Sequence, residues 1–327
     1  MAVVAESEPA ATVARAVAVT KARNAVVQDR FFFLLTIASA VLVVVLLLGV
    51  MVSLLIGSWP AISTFGLSFV WNERWSPAKD IFGALAPIYG TIVTSLIAMI
   101  IGIPVSFGIA IFLTELCPPV LRRPIGIAIE LLAGIPSIIY GLWGFFFLAP
   151  FLQTTVQPWL IHSIGKVPGI GVLFGGAPYG IGLLTAGIIL AIMVLPFITS
   201  ITRDVFLTVP TLLRESAYGM GMTTWEVARA IIIPYCRVGL VGGVMLGLGR
   251  ALGETMAVTF VIGNSHNISP SLLAPATTIS ATIANEFTEA TGDLYTSSLI
   301  ELGLILFVIT FAVLGVAKWL LIRTAVK

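Results

Sequence analysis

From Phe31 to Ile56 the chain runs 26 residues without a charged side chain. A bilayer's hydrocarbon core, about 30 Å thick, takes about 20 helical residues to cross. The apolar core of a secretory leader stops at about 7–15 residues, so this run reads as a retained span. Five further apolar stretches follow, at about 86–113, 125–151, 179–202, 238–262 and 295–317. The chain is 58% hydrophobic and only 10% charged, with a mean hydropathy of +1.10. That balance leaves too little polar surface to coat a soluble core. Lipid offers the backbone no hydrogen-bond partner, so each span must close its own amides as a helix. The sequence therefore predicts an all-α polytopic membrane protein with six transmembrane helices.

Between the spans, residues 1–30 are rich in Ala and Val and carry Arg15, Lys21, Arg23 and Arg30, which reads as a poorly ordered tail. Trp59, Trp71 and Trp75, with Pro60 and Pro77, mark a loop at a membrane interface. Pro124 opens the third span, which Gly134 and Pro136 interrupt, and 152–178 is a Gly- and Pro-rich loop. A third outer loop, 263–293, holds Glu286, Glu289 and Asp293. Lys and Arg set orientation. Thirteen of them fall in the tail, the 122–123 loop, the 203–237 loop and the C-terminal end, against Arg74, Lys79 and Lys166 in the other loops. Both termini and the 203–237 loop are therefore expected in the cytoplasm. The organisation expected is a tail (1–30), a first span with its outer loop (31–85), a five-span core (86–322) and a short C-terminal tail (323–327).

Several chemistries are not supported. Cys117 and Cys236 fit no disulfide or metal pattern, and His162 and His266 read as solvated loop residues. The run from Gly242 to Gly247 lacks the Lys-Ser/Thr that would hold nucleotide phosphates, so this chain is not expected to hydrolyse ATP. Neither a metal set nor a bound cofactor is expected, and nothing points to nucleic acid.

Charges inside the spans are the exceptions. Arg250 and Glu254 each cost about 2.5–3.5 kcal/mol at mid-bilayer. Four residues apart on one helix, they would share a face and pair. That pair is either a structural pin or an anion path in which Glu254 orients Arg250, a guanidinium being well matched to phosphate oxygens. Glu130 and Glu301 also fall within or near spans, as interhelical hydrogen-bonding groups or proton carriers. Gly239, Gly243 and Gly247, and Gly242, Gly249 and Gly253, form two small-residue stripes that suggest a partner helix.

The polar stretch 215–234 reads as two short helices joined by a turn. Pro210 suits the first helix's opening position, and Gly219 and Gly221 suit its end. Thr223 with Glu226 forms a capping-box pattern, and Pro234 is expected to end the second helix. Glu215-Ser216-Ala217, three residues, Gly221, nine residues, then Ile231-Ile232-Ile233-Pro234 resembles the EAA loop of ABC importer permeases. Ser216 and Ile233 depart from the usual alanine and leucine.

Three more stretches sharpen the likeness: 247–264 (GLGRALGETMAVTFVIGN), 130–144 (ELLAGIPSIIYGLWG) and 301–311 (ELGLILFVITF). They are similar to the PstC-type permease subunits of bacterial phosphate ABC importers, and Met256-Ala-Val looks like the PstC side rather than the PstA side. The resemblance implies a type I ABC importer permease in the cell inner membrane. It implies a PstA-type partner permease, two copies of a PstB-type ATPase that bind Mg-ATP, and a periplasmic binding protein that delivers phosphate. The EAA-like residues would dock on the ATPase. From residue chemistry alone, a sulfate or molybdate permease stays open, and so does a proton-coupled secondary transporter, although the latter has no use for docking helices.

Overall fold

The computed structural model describes residues 8–325, with side chains from 28 to 319, and nearly all of it is helix. Residues up to Ile56 and from Gly57 onward form two compact units. Helix α1 runs Glu8–Phe65, so the tail reading gives way to helix over 8–30, residues 1–7 lying outside the described part. The physical reason is continuity. Ala-rich sequence free of glycine extends a helix already nucleated by an apolar span, at no new nucleation cost. Trp59 and Pro60 also lie inside α1 rather than in the interfacial loop.

Among the described residues six helices are long and apolar enough to cross a membrane. After α1, helix α2 covers Leu85–Ile111 and runs on through a π-helical turn to Leu116. Next comes α3 (Pro119–Ala133), then α4, spanning Ser137–Ser163 with two π-helical turns inside it. The third span expected at 125–151 is thus two elements. Pro136 cannot donate to the preceding turn and holds Ile135 out of the helical region, so α3 stops and the membrane-length helix begins after it. α4 in turn occupies the first part of the loop expected over 152–178.

Helix α5 (Leu183–Leu207) is the hub, the most buried of the spans. Its Gly187 lets α2 approach so closely that a Cβ there would fall 2.5 Å from Ile97. Ala186, Ile189, Leu190 and Met193 of α5 form a core with Ala98 of α2. Helix α6 (Thr211–Gly219) follows, then α7, which runs Thr224–Gly253. Pro234 does not end it. The turn just before, Ala228–Ile232, is π-helical, and the proline opens the α-helical part that follows. The widened turn absorbs the missing N–H and the ring that would break a regular helix.

α7 itself stops at Gly253, where Glu254 turns extended, and a short helix α8 (Met256–Val261) joins the α5 core. The fifth span is therefore displaced toward the N-terminus from 238–262. Its first glycine stripe is used within the chain: Gly239, Gly243 and Gly247 lie against Val205, Ile201 and Ile198 of α5. Of the second stripe, a Cβ on Gly249 would fall 3.7 Å from Leu314, while one on Gly242 or Gly253 would meet nothing within 4 Å. Helix α9 (Ile279–Glu286) and the last span, α10 (Asp293–Ala325), close the described chain.

Candidate coupling segment and intramembrane site

The candidate coupling segment is built by local chemistry first. Pro210 caps α6 as the residue before its first turn. Gly221 then adopts φ +84°, the left-handed turn that a Cβ resists, whereas Gly219 stays helical. The chain re-enters helix at Thr223, whose Oγ1 accepts from Glu226 N–H at 3.4 Å while Glu226 Oε2 accepts from Thr223 N–H at 2.7 Å. Such caps contribute typically about 1 kcal/mol. Ala217, Val227 and Ile232 bury against Phe206, Val209 and Cys236, which fixes the segment to the ends of α5 and α7. Glu215, Ser216, Gly221 and Pro234 are exposed, and Ile231 and Ile233 are half-buried beside that core. Leu212, Met220 and Trp225 are 71%, 75% and 62% exposed, an apolar surface on the same segment that the sequence reading did not assign.

A second feature escaped the sequence. Arg214 Nη1 donates to Glu115 Oε1 at 2.8 Å, Nη2 donates to the Phe206 carbonyl, and Tyr218 Oη lies 3.3 Å from Glu115 Oε2. The Glu115 side chain is 5% exposed. A single carboxylate closing an uncharged stretch gives no hint, across 99 residues of sequence, of its partner.

Arg250 faces a cavity of about 530 Å³ bounded by Phe197, Gly242, Gly249 and Leu314. Its guanidinium carbon sits 4.6 Å over the Phe197 ring, a cation–π contact that holds charge over an apolar wall. Glu254 is 3.9 Å away, with a side chain 8% exposed against 37% for Arg250. The expected pairing is present as a long ion pair but not on one helical face, because Glu254 follows the helix end on extended backbone. At that separation the pair is too long for a hydrogen bond, and Arg250 Nε is buried without an acceptor. The guanidinium thus lines the cavity without a hydrogen-bonded carboxylate.

The other two carboxylates are in different settings. Glu130 on α3 is half-exposed and pairs with Arg203 at 2.7 Å. Glu301 on α10 is buried, and its Oε2 has no hydrogen-bond partner among the described residues. Neither joins Arg250.

His162 is exposed, but His266 is no solvated loop residue: it stacks on Trp75 at 5.3 Å and 3°. Its Nε2 lies 3.4 Å from Glu286, whose Oε2 accepts from Trp75 Nε1 at 2.7 Å and Tyr295 Oη at 2.6 Å. Burial pushes the His266 imidazole below its ordinary range, and the Glu286 carboxylate opposes that shift. Among the described residues no group of His, Cys, Asp and Glu converges as a metal site, and Cys117 and Cys236 are free and buried.

A membrane-length helix set with an exposed, capped helix–turn–helix at one end has close counterparts. Residues 102–325 match the family described as binding-protein-dependent transport system inner membrane component. The phosphate transport system permease protein PstC of Mesorhizobium japonicum is 67% identical over 94% of this chain and 95% of its own length. The chain belongs to the PstC-type permeases of this family. The permease from Pasteurella multocida that carries the same name is 57% identical over 88% of this chain and 90% of its own. Among solved structures, a chain of a bacterial ABC transporter involved in the import of the acidic polysaccharide alginate superposes with TM-score 0.53 at 17% identity. It covers 86% of this chain and 95% of that one. At that identity the likeness speaks for the fold alone, that of a type I ABC importer permease; the family match and the apolar helices make this a multi-pass inner-membrane protein.

Proposed function

We propose that this permease forms one half of the transmembrane pathway of an ATP-driven importer, moving inorganic phosphate from periplasm to cytoplasm by alternating access. The observation that carries the reading is identity of 57–67%, over nearly the full length, to permeases named for phosphate transport. The geometry supports it with a guanidinium that lines a membrane cavity and is held by no short ion pair, the chemistry that pairs with a phosphate oxyanion.

A PstA-type permease completes the pathway across the open side of α7, where Gly242 and Gly253 have no neighbour. A PstB-type ATPase dimer, which binds Mg-ATP, docks on 211–234 through Glu215 and the exposed Leu212, Met220 and Trp225. A periplasmic binding protein delivers the anion at the opposite end. Both termini and the coupling segment lie in the cytoplasm, as the distribution of Lys and Arg favours. Closure of the ATPase around nucleotide shifts α6, rocks α2 and α5 and opens the cavity outward, and the delivered anion then passes Arg250. No covalent step occurs in this chain.

The test is uptake of radiolabelled phosphate into proteoliposomes holding the complete assembly. Uptake is expected to require ATP and to resist competition by sulfate and molybdate. Uptake without ATP would exclude the importer class, and equal competition by sulfate would exclude phosphate as the selected anion.

A further inference from the structure

At the coupling end of the helical body a cavity of about 360 Å³ opens between the end of α2, the first turns of α3 and the last turns of α5. Arg122, Arg123 and Arg203 line it with Glu130, beside an apolar wall that includes Ile127 and Leu207. Arg203 is committed, to Glu130 at 2.7 Å and Asp204 at 2.9 Å. Gly126 gives that guanidinium its place, since a Cβ there would fall 2.8 Å from Arg203 Nη1.

The other two arginines are not committed. Arg122 Nε is buried with no acceptor, and its Nη2 reaches the Cys117 carbonyl only at 3.4 Å. Arg123 is exposed and takes part in none of the ion pairs among the described residues. The Arg122 guanidinium lines the cavity with only that long contact to Cys117, and an anionic oxygen there would give it a stronger, charge-assisted acceptor. Two guanidinium groups beside one cavity match a phosphate group in shape and charge.

The surroundings distinguish which phosphate. On α3, Val120, Pro124, Ile127 and Leu131 fall at i, i+4, i+7 and i+11 and are all exposed. That spacing places them on one stripe, the form of a helix lying in the membrane interface with its apolar side in the acyl region. Ile127 belongs both to the stripe and to the cavity wall, so the cationic cavity is continuous with a surface built for hydrocarbon. A free ion has no use for such a wall, whereas a phospholipid fills both parts.

We propose that this cavity binds the phosphate headgroup of an anionic phospholipid, from the leaflet on the side of the coupling segment. Arg122 and Arg123 hold the headgroup, and the acyl chains run along the α3 stripe. Basic pockets between membrane helices suit anionic headgroups by the same electrostatics that draws basic segments to membranes. Leu207 lines the cavity and lies one turn before Thr211, where α6 begins, so a bound lipid braces the base of the coupling segment.

The experiment is native mass spectrometry of the detergent-purified transporter with its partner subunits, titrated with phosphatidylglycerol or with phosphatidylcholine. Phosphatidylglycerol is expected to be retained preferentially, and millimolar inorganic phosphate to leave it bound. Arg122→Gln with Arg123→Gln is expected to lower its retention about thirtyfold, from two cationic contacts. Ile127→Trp, which fills the cavity from an exposed position with both charges intact, is expected to lower it as well, so the inference does not rest on one variant's folding. Lys166→Gln, on a distant loop, should change nothing. Equal retention of phosphatidylcholine, or undiminished phosphatidylglycerol in the arginine variant or in Ile127→Trp, would overturn the proposal. Displacement by inorganic phosphate would overturn it too, and would make this a site for the ion.

Discussion

Arg250 stands over Phe197 with Glu254 at 3.9 Å and its own side chain 37% exposed. The pair is long, but with the Glu254 side chain 8% exposed the loss of Arg250 leaves a buried carboxylate without its cation, a change that costs up to about 3–5 kcal/mol. Arg250→Gln is therefore expected to lower membrane abundance, which recovers when the carboxylate is neutralised as well, while phosphate uptake at matched abundance falls at least about tenfold, because removing one charge-assisted contact costs about 1.5–3 kcal/mol. Adding Glu254→Gln should not restore uptake. Recovery of transport in that neutral pair, measured beside abundance by immunoblot, would remove Arg250 from the anion path. Gly221 presents a different single-residue constraint. Its Cβ would meet nothing within 4 Å, so the penalty there is the backbone's φ of +84° alone, about 1 kcal/mol for most side chains. Gly221→Asp is expected to leave the protein in the membrane and abolish ATP-driven uptake, since strain and a new charge both fall on the docking segment. Unchanged uptake at equal abundance would mean that this turn does not couple.

Between elements, the Arg214–Glu115 pair is the one charged link from α6 to the end of α2 among the described residues. With Glu115 5% exposed, Arg214→Gln strands a carboxylate, a loss of about 3–5 kcal/mol. Lower membrane abundance is expected, recovering when Glu115→Gln is added. If the pair also transmits motion, the recovered double variant should hydrolyse ATP in the full assembly yet import little. Normal import there would reduce the pair to a structural role. At the other end, Trp75, His266, Glu286 and Tyr295 join the loop after α1 to α9 and α10. Burial holds His266 below its ordinary 6.5, so the folded state keeps it neutral. The unfolded chain binds the proton more readily, and stability contributed by this group is present above about 6.5 and declines as pH falls through the folded value. Thermal unfolding followed between pH 7.5 and pH 5 should therefore show a falling Tm, with a shallower slope in His266→Phe, which keeps the stacking on Trp75. An unchanged slope in that variant would assign the pH dependence to other groups.

For the molecule as a whole, orientation follows from where Lys and Arg lie relative to the six spans. With the native cysteines buried, a new cysteine at Lys166 should react with a membrane-impermeant maleimide added outside intact cells. One at Met220, 75% exposed on the coupling segment, should react only after the membrane is opened. Outside labelling at Met220 would reverse the orientation. Much of this architecture was already written in the chain: apolar runs of bilayer length, the Thr223–Glu226 cap, the glycine at the left-handed turn and the EAA-like spacing all act locally or by solvent partition, which sequence records directly. Proline was ambiguous, because its effect depends on the turn that precedes it. Pro136 separates two helices, while Pro234 passes into a helix whose preceding turn is widened. What depends on distant residues meeting in space had no sequence signal at all. Glu115 finds Arg214 and His266 finds Trp75. The first glycine stripe packs on α5 inside the chain instead of on a partner, and Arg122 is left facing a cavity. Only packing decides these, because which charge is paired and which glycine is covered follows from the crossing of helices whose contacts lie far apart in the chain.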